Sequence, residues 1–319
     1  MPQSKSLPKQ RYTRQRAART TRRNLASITP STSHPQLQSP LFSLLPSELR
    51  FQIYMHVLAQ THDPTRPITK DSISPLYRPG HSTHTTISTT LLQTCRLVYS
   101  EAHSIPLRSA THHFRHLGST SFIYIGDVWL HHMTSQRGAD LYHLHDNLVA
   151  LQASNFAKFL LPHLKWRRIT WTVCAYLIPP ILAERREIER LAQTLAALVL
   201  PETCREVVLE LESREDLGER WEGMREQARK CCQLALRRSG GEALGFDEGC
   251  SVQYAWMGSG QARWGTSENS QAKKSMEYCT LRMCWRDGAA RREYISYDHL
   301  DCLRLEGCEE IMKIEALRL

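Results

Sequence analysis

The chain has 319 residues, a formal net charge of +9, 41% hydrophobic residues and 23% charged ones. That length suits one large domain or two small ones, and the ordinary globular proportions exclude a chain disordered throughout. Residues 1–40 hold eight Lys/Arg and no acid while the other 279 residues sum to only +1, so the basic balance does not describe a nucleic-acid-binding body.

Residues 1–40 are rich in Pro, Ser, Thr and Gln and nearly free of large apolar groups, and are expected to form a disordered basic tail. An Arg-rich, acid-free start suits a nuclear address, a mitochondrial transit peptide or a tail that nothing reads. Pro2 and Pro8 interrupt the helix a transit peptide needs, and no apolar core follows the charges as a secretory signal requires. The most apolar stretch, Trp171 to Ala183, is broken by Pro179-Pro180 and falls short of the ~18 residues of a membrane helix. A nuclear or cytoplasmic location is expected, without membrane contact. Any nucleic-acid contact is expected only from the tail, electrostatically.

Order is expected from Leu41. Leu45, Leu49, Ile53 and Val57 recur at i+4 steps, which predicts an amphipathic helix from Pro46 to about Ala59. Pro46 is tolerated in a first turn, and Glu48 suits the positive end of the helix dipole. Residues 60–90 carry twelve Ser/Thr and four Pro and read as a disordered insertion. Leu91–His103 returns to helical spacing, with Leu91, Cys95, Val98 and Ala102 on one face and Pro106 beyond.

Farther on, Ser121–Ile125 reads as a strand, Asn147–Leu161 as a helix closed by Pro162, and Ile169–Tyr176 as a strand. Leu182–Leu200 reads as a helix ended by Pro201, Glu206–Leu211 as a strand and Leu217–Arg238 as a helix. Residues 239–275 hold seven of the fifteen glycines and read as an irregular insertion. Met276–Trp285 and Arg292–Tyr297 suggest a hairpin around Asp287-Gly288, and the stretch from about His299 a helix. The alternation predicts a partly parallel α/β region over 117–319. The strand–helix units look loosely like leucine-rich repeats but keep no fixed period.

Two stretches carry a resemblance. Leu45-Pro46-Ser47-Glu48-Leu49 with Ile53-Tyr54 and Val57-Leu58, followed by Leu92, Cys95-Arg96, Tyr99 and Glu101-Ala102, resembles the F-box-like domains of ascomycete fungi. The match covers about 30 residues directly and extends to residues 41–116 when the insertion and His112–Phe114 are included. The resemblance implies an α+β chain, with a small helical F-box-like unit packed on the α/β region. It also implies that Leu45, Pro46, Glu48, Leu49, Ile53 and Val57 dock a Skp-type adaptor of a cullin ubiquitin ligase, and that the C-terminal region recruits an unknown protein client. On that reading the chain is not an enzyme and needs no cofactor. The insertion at 60–90 departs from the short helical connection usual between the halves, which leaves open a non-catalytic scaffold that has no adaptor.

Other chemistry is thin. Thirteen of fifteen histidines lie between residues 56 and 163 without a H-E-x-x-H pattern. They read as scattered surface or loop residues rather than a metal site. The ten cysteines form no C-x-x-C pair and read as reduced thiols in core or strand positions. Gly258-Ser-Gly260 follows a strand expected at Val252–Trp256 but lacks the third glycine of a dinucleotide fingerprint, since Arg263 stands there. Trp166, beside Arg167-Arg168, reads as a core residue rather than a nucleic-acid platform.

Overall fold

The computed structural model describes residues 20–21, 24–67, 83–115, 130, 133–148, 151, 153–174, 190–214, 218–259, 275–288 and 311–316. The chain divides into two compact units: Met1–Thr61 with Thr86–Ser109, and His62–Thr85 with Ala110–Leu319.

The first unit is helical. A 3-10 turn at Pro30–Thr32 is closed by reciprocal hydrogen bonds between Thr29 and Thr32. There follow α1 (Pro40–Ser43), α2 (Ser47–Leu58), a second 3-10 turn at Thr90–Gln93, α3 (Arg96–Ala102) and α4 (Ile105–Ser109). Helix α2 occupies almost the expected span. Pro46 is its N-cap, a position where the missing amide leaves no helical bond unmade. The second expected helix is broken instead. Cys95 is extended (φ −156°, ψ 163°) and its Sγ accepts the Val98 amide as the cap of α3, which explains the Cys-Arg step. Pro106 lies in the first turn of α4, so it starts a helix rather than ending one. Tyr54, Leu58, Val98, Ala102 and Ile105 form the core, flanked by Leu41, Phe42, Met55, Leu91, Leu92 and Cys95.

The second unit is built on a mixed sheet. Its strands are β3 (Thr111–Arg115), β4 (His143–Leu148), β5 (Arg168–Cys174), β6 (Glu206–Arg214), β7 (Leu236–Arg237), β8 (Ala243–Phe246), β9 (Val252–Ser259), β10 (Ser275–Arg286) and β11 (Ile311–Ala316). The spatial order is β11-β9-β10-β6-β5-β4-β3, with β8 also on β10 and β7 on β8. Strands β3 to β6 run parallel in chain order. Strands β10, β9 and β11 continue the sheet antiparallel. The chain is therefore α+β, with a partly parallel sheet. The antiparallel half departs from the uniform repeat of a leucine-rich solenoid.

The period-2 alternation of strands gives this sheet two unlike faces. One carries Leu144, Ile169, Val207 and Trp285 in register. Helices α5 (Ser135–Gly138), α6 (Ala153–Ala157), α7 (Leu191–Ala197) and α8 (Gly218–Cys232) lie in the same unit among the described residues. Phe156 of α6 meets Trp171 of β5 edge-on at 5.2 Å. Trp166 is fully buried and donates from Nε1 to the Phe159 carbonyl, so it is core. Gly138 closes α5 where nothing larger fits: a Cβ there would lie 2.1 Å from the His163 carbonyl oxygen.

The other face is polar and still buried. Glu206 sits between Arg168 (2.7 Å) and Arg286 (2.8 Å). Thr172 donates to Glu210 and meets His145 at Nε2. His143 lies between Thr111 at Nδ1 and Thr170 at Nε2, 2.9 Å from each. These histidines are not the scattered surface residues expected; His143 and His145 are interior residues of β4. Burial, reinforced by Arg168, His113, His112 and Arg282, holds the His143 imidazole well below its ordinary 6.5. The unfolded chain thus takes up a proton near pH 6.5 that the fold refuses, and stability falls as pH drops through that value. All seven tryptophans lie in the second unit, so tryptophan fluorescence reports on it alone. The urea midpoint so followed is expected to fall between pH 7.5 and 5.5, and His143→Gln to lessen the fall.

Several expected elements are redrawn. The ends of the expected insertion at 60–90 are strands, β1 (Thr61–Pro67) and β2 (Thr83–Thr86), which pair with each other; their threonines suit extended backbone. His112–Phe114, expected with the helical unit, belong to β3. Asn147 and Leu148 end β4, and the helix expected over 147–161 is the short α6. The described part of the helix expected over 182–200 is Leu191–Ala197. The helix expected over 217–238 ends at Cys232, and Leu236–Arg237 pairs with β8 instead. The supposed insertion at 239–275 contains β8 and β9, and β9 is an interior strand between β10 and β11. β10 spans the first arm of the expected hairpin but pairs with β6 and β9. The last described segment, β11, is a strand and not a helix. Ser121–Ile125 and Arg292–Tyr297 lie outside the described residues.

Cys95, Cys204, Cys231, Cys232 and Cys284 are free thiols. Burial pushes Cys204, Cys231, Cys232 and Cys284 up to about 12. At pH 8 these four stay protonated and unreactive. Iodoacetamide is expected to spare them in the native protein and modify them after denaturation, which mass spectrometry of the digest reads directly.

Candidate partner-docking site

Helix α2 is apolar on two opposite sides. Leu58 follows Leu49 by nine residues, which places the two roughly 180° apart around the helix axis. The core takes Tyr54 and Leu58, exposed by 1% and 0%. Leu49, Ile53 and Val57 are left outside, at 46%, 39% and 45% exposure. The i+4 stripe that the sequence marks as the apolar face of this helix therefore does not pack the unit. Glu48, Gln52 and His56, each one residue before a member of the stripe, are exposed beside it.

All six expected docking residues fall on α2 or the turn before it. Leu45 is half-buried, Pro46 and Glu48 are exposed, and Leu49, Ile53 and Val57 form the stripe. Two exposed apolar residues escaped the sequence reading. Leu44 is 76% exposed in the turn and Phe51 is 47% exposed on α2; neither falls on the i+4 series. Phe51 lines a depression of about 530 Å³ with Ser47, Glu48, Gln52, Tyr54 and Glu101.

A polar cluster ties the two halves of the motif together. Arg50 donates from Nη2 to Glu101 Oε1 (2.8 Å), from Nε to Glu101 Oε2 (3.1 Å) and from Nη1 to the Leu45 carbonyl (2.8 Å). Its guanidinium also lies 5.4 Å from the Phe42 ring centroid. Tyr54 Oη donates to Glu101 Oε2 at 2.9 Å. The hydrogen bonds to Glu101 hold Arg50 above its ordinary value. Burial, then the Glu101 carboxylate, raises the Tyr54 phenol. Both groups thus keep their protons, and a forked arginine–carboxylate pair joins α2 to α3. The signal was present in the sequence: Arg50 follows Leu49 directly, and Glu101 is the acid of the downstream half.

The arrangement offers an apolar surface with a polar margin and a fixed backbone. Among the described residues no three His, Cys, Asp or Glu side chains gather to hold a metal ion, and no described helix is long and apolar enough to cross a membrane. Trp166 and Arg168 are buried, so Trp166-Arg167-Arg168 is no platform for nucleotide bases. Comparison with protein-family models, curated proteins and solved structures found no match to this chain.

Proposed function

We propose that this chain is an F-box-like recruiting protein. In this reading the first unit docks on a Skp-type adaptor of a cullin ubiquitin ligase, and the second holds a protein client. The observation that carries it is the exposure of Leu49, Ile53 and Val57 while Tyr54 and Leu58 hold the core. Three apolar side chains at i, i+4 and i+8 on an exposed helix match a helix-in-groove mode of recognition. The complementary groove would be apolar, with donor or cationic groups opposite Glu48 and Gln52. The chain then performs no reaction itself, and its basic tail serves as an address or tether.

A second reading also has an observation behind it. The segment between the motif halves begins and ends in strands β1 and β2, where an F-box of the usual kind continues in helix. The same fold would then be a scaffold that binds no adaptor. Co-precipitation with a Skp-type adaptor separates the two. The wild type is expected to be retained and Leu45→Ala/Pro46→Ala to be lost. Absence of the wild type, under conditions that retain a known F-box protein, favours the scaffold.

A further inference from the structure

We infer that Arg50 and Glu101 are positioning residues for this docking face, an inference that rests on the adaptor reading. Leu44, Leu45 and Pro46 link α1 to α2, and packing holds them only in part: Leu45 is half-buried, but Leu44 is 76% exposed and Pro46 is exposed. The Arg50 guanidinium holds the Leu45 carbonyl with one arm and grips Glu101 with the other two nitrogens. Its side chain is shielded to 14% exposure. Arg50 thereby locks the turn that carries Leu45-Pro46 to the helix that carries Glu101. A docking surface ordered before the encounter binds more tightly than one ordered by it. Lysine cannot reproduce the grip, because one ammonium does not span two carboxylate oxygens and a carbonyl with fixed geometry. Glu101→Gln removes the charge and one acceptor while keeping the shape.

The test compares Arg50→Lys and Glu101→Gln with a core control, Val98→Ala, in the full chain. Val98 is buried in the core of the first unit, and its apolar side chain offers no hydrogen bond to the fork. Adaptor affinity is measured well below the melting temperature of every variant. Arg50→Lys and Glu101→Gln are expected to weaken the complex tenfold or more through a faster off-rate, while Val98→Ala lowers the melting temperature and leaves Kd unchanged. A second readout needs no adaptor. Backbone 15N relaxation of Arg50→Lys is expected to show a loosened turn at Leu44, Leu45 and Ser47, with Gln52 to Leu58 as rigid as in the wild type. Unchanged Kd with an unchanged turn overturns the inference and leaves the adaptor reading standing. A wild type that binds no adaptor overturns that reading, and the relaxation data then decide the positioning role alone.

Discussion

Ile53→Asp is expected to abolish adaptor capture and leave the first unit folded. Ile53 is 39% exposed on the side of α2 away from the core. An exposed substitution of this kind shifts stability by roughly 0.5 kcal/mol or less. In a docked complex the same side chain would sit at the centre of the stripe, between Leu49 and Val57. A carboxylate forced into an apolar groove carries a hot-spot penalty of about 2 kcal/mol or more, ~30-fold in Kd. The opposite side of the helix is expected to behave inversely. Leu58 is fully buried, so Leu58→Ala is expected to cost about 2–5 kcal/mol of unit stability and to lose binding only through unfolding. Circular dichroism melts beside adaptor titrations check both halves. An Ile53→Asp variant that melts early and binds normally would reverse the assignment of the two faces.

The largest stability effect is expected at Glu206. This carboxylate is 5% exposed and lies between the guanidiniums of Arg168 and Arg286. Glu206→Ala removes it and leaves both cations in place, and breaking a buried ion pair from one side costs about 3–5 kcal/mol. Replacing the whole triad avoids that penalty. Arg168→Met/Glu206→Leu/Arg286→Met removes the triad's desolvation cost together with its attraction, and such exchanges are often close to neutral. It also gives up the longer Arg286–Asp247 contact of 3.8 Å. Urea unfolding followed by tryptophan fluorescence isolates the second unit for this comparison. A triple variant as unstable as the single one would show that the pairs add stability in their own right.

The legible parts of the fold were those with regular periodicity. The i+4 series from Leu45 marked α2, and the alternation of Ile169, Trp171 and Val173 marked β5. Strand β4 escaped because His143-Leu-His-Asp-Asn-Leu148 has little β preference. Its histidines are held in the sheet by Thr111, Thr170 and Thr172, partners far away in sequence. Strand β9 was legible at Val252–Trp256, ahead of Gly258-Ser-Gly260, whereas β11 was obscured by a composition that also suits helix. The six residues expected to dock fall together on α2 and the turn before it, but the usual inference from an apolar stripe sends it inward. Only the packing of Tyr54 and Leu58 shows which side of α2 faces the core. Arg50 and Glu101 were in view as motif letters, and their pairing across 51 positions is a tertiary fact.

The central claim is that the outward stripe of α2 is a docking surface for a Skp-type adaptor. Calorimetric titration of the full chain with purified adaptor tests it most directly, comparing the wild type with Leu49→Ala/Ile53→Ala/Val57→Ala. Saturable one-to-one binding by the wild type, weakened at least 30-fold in a variant that melts normally, is the predicted result. Equal binding by the two, or none by the wild type, would contradict the account.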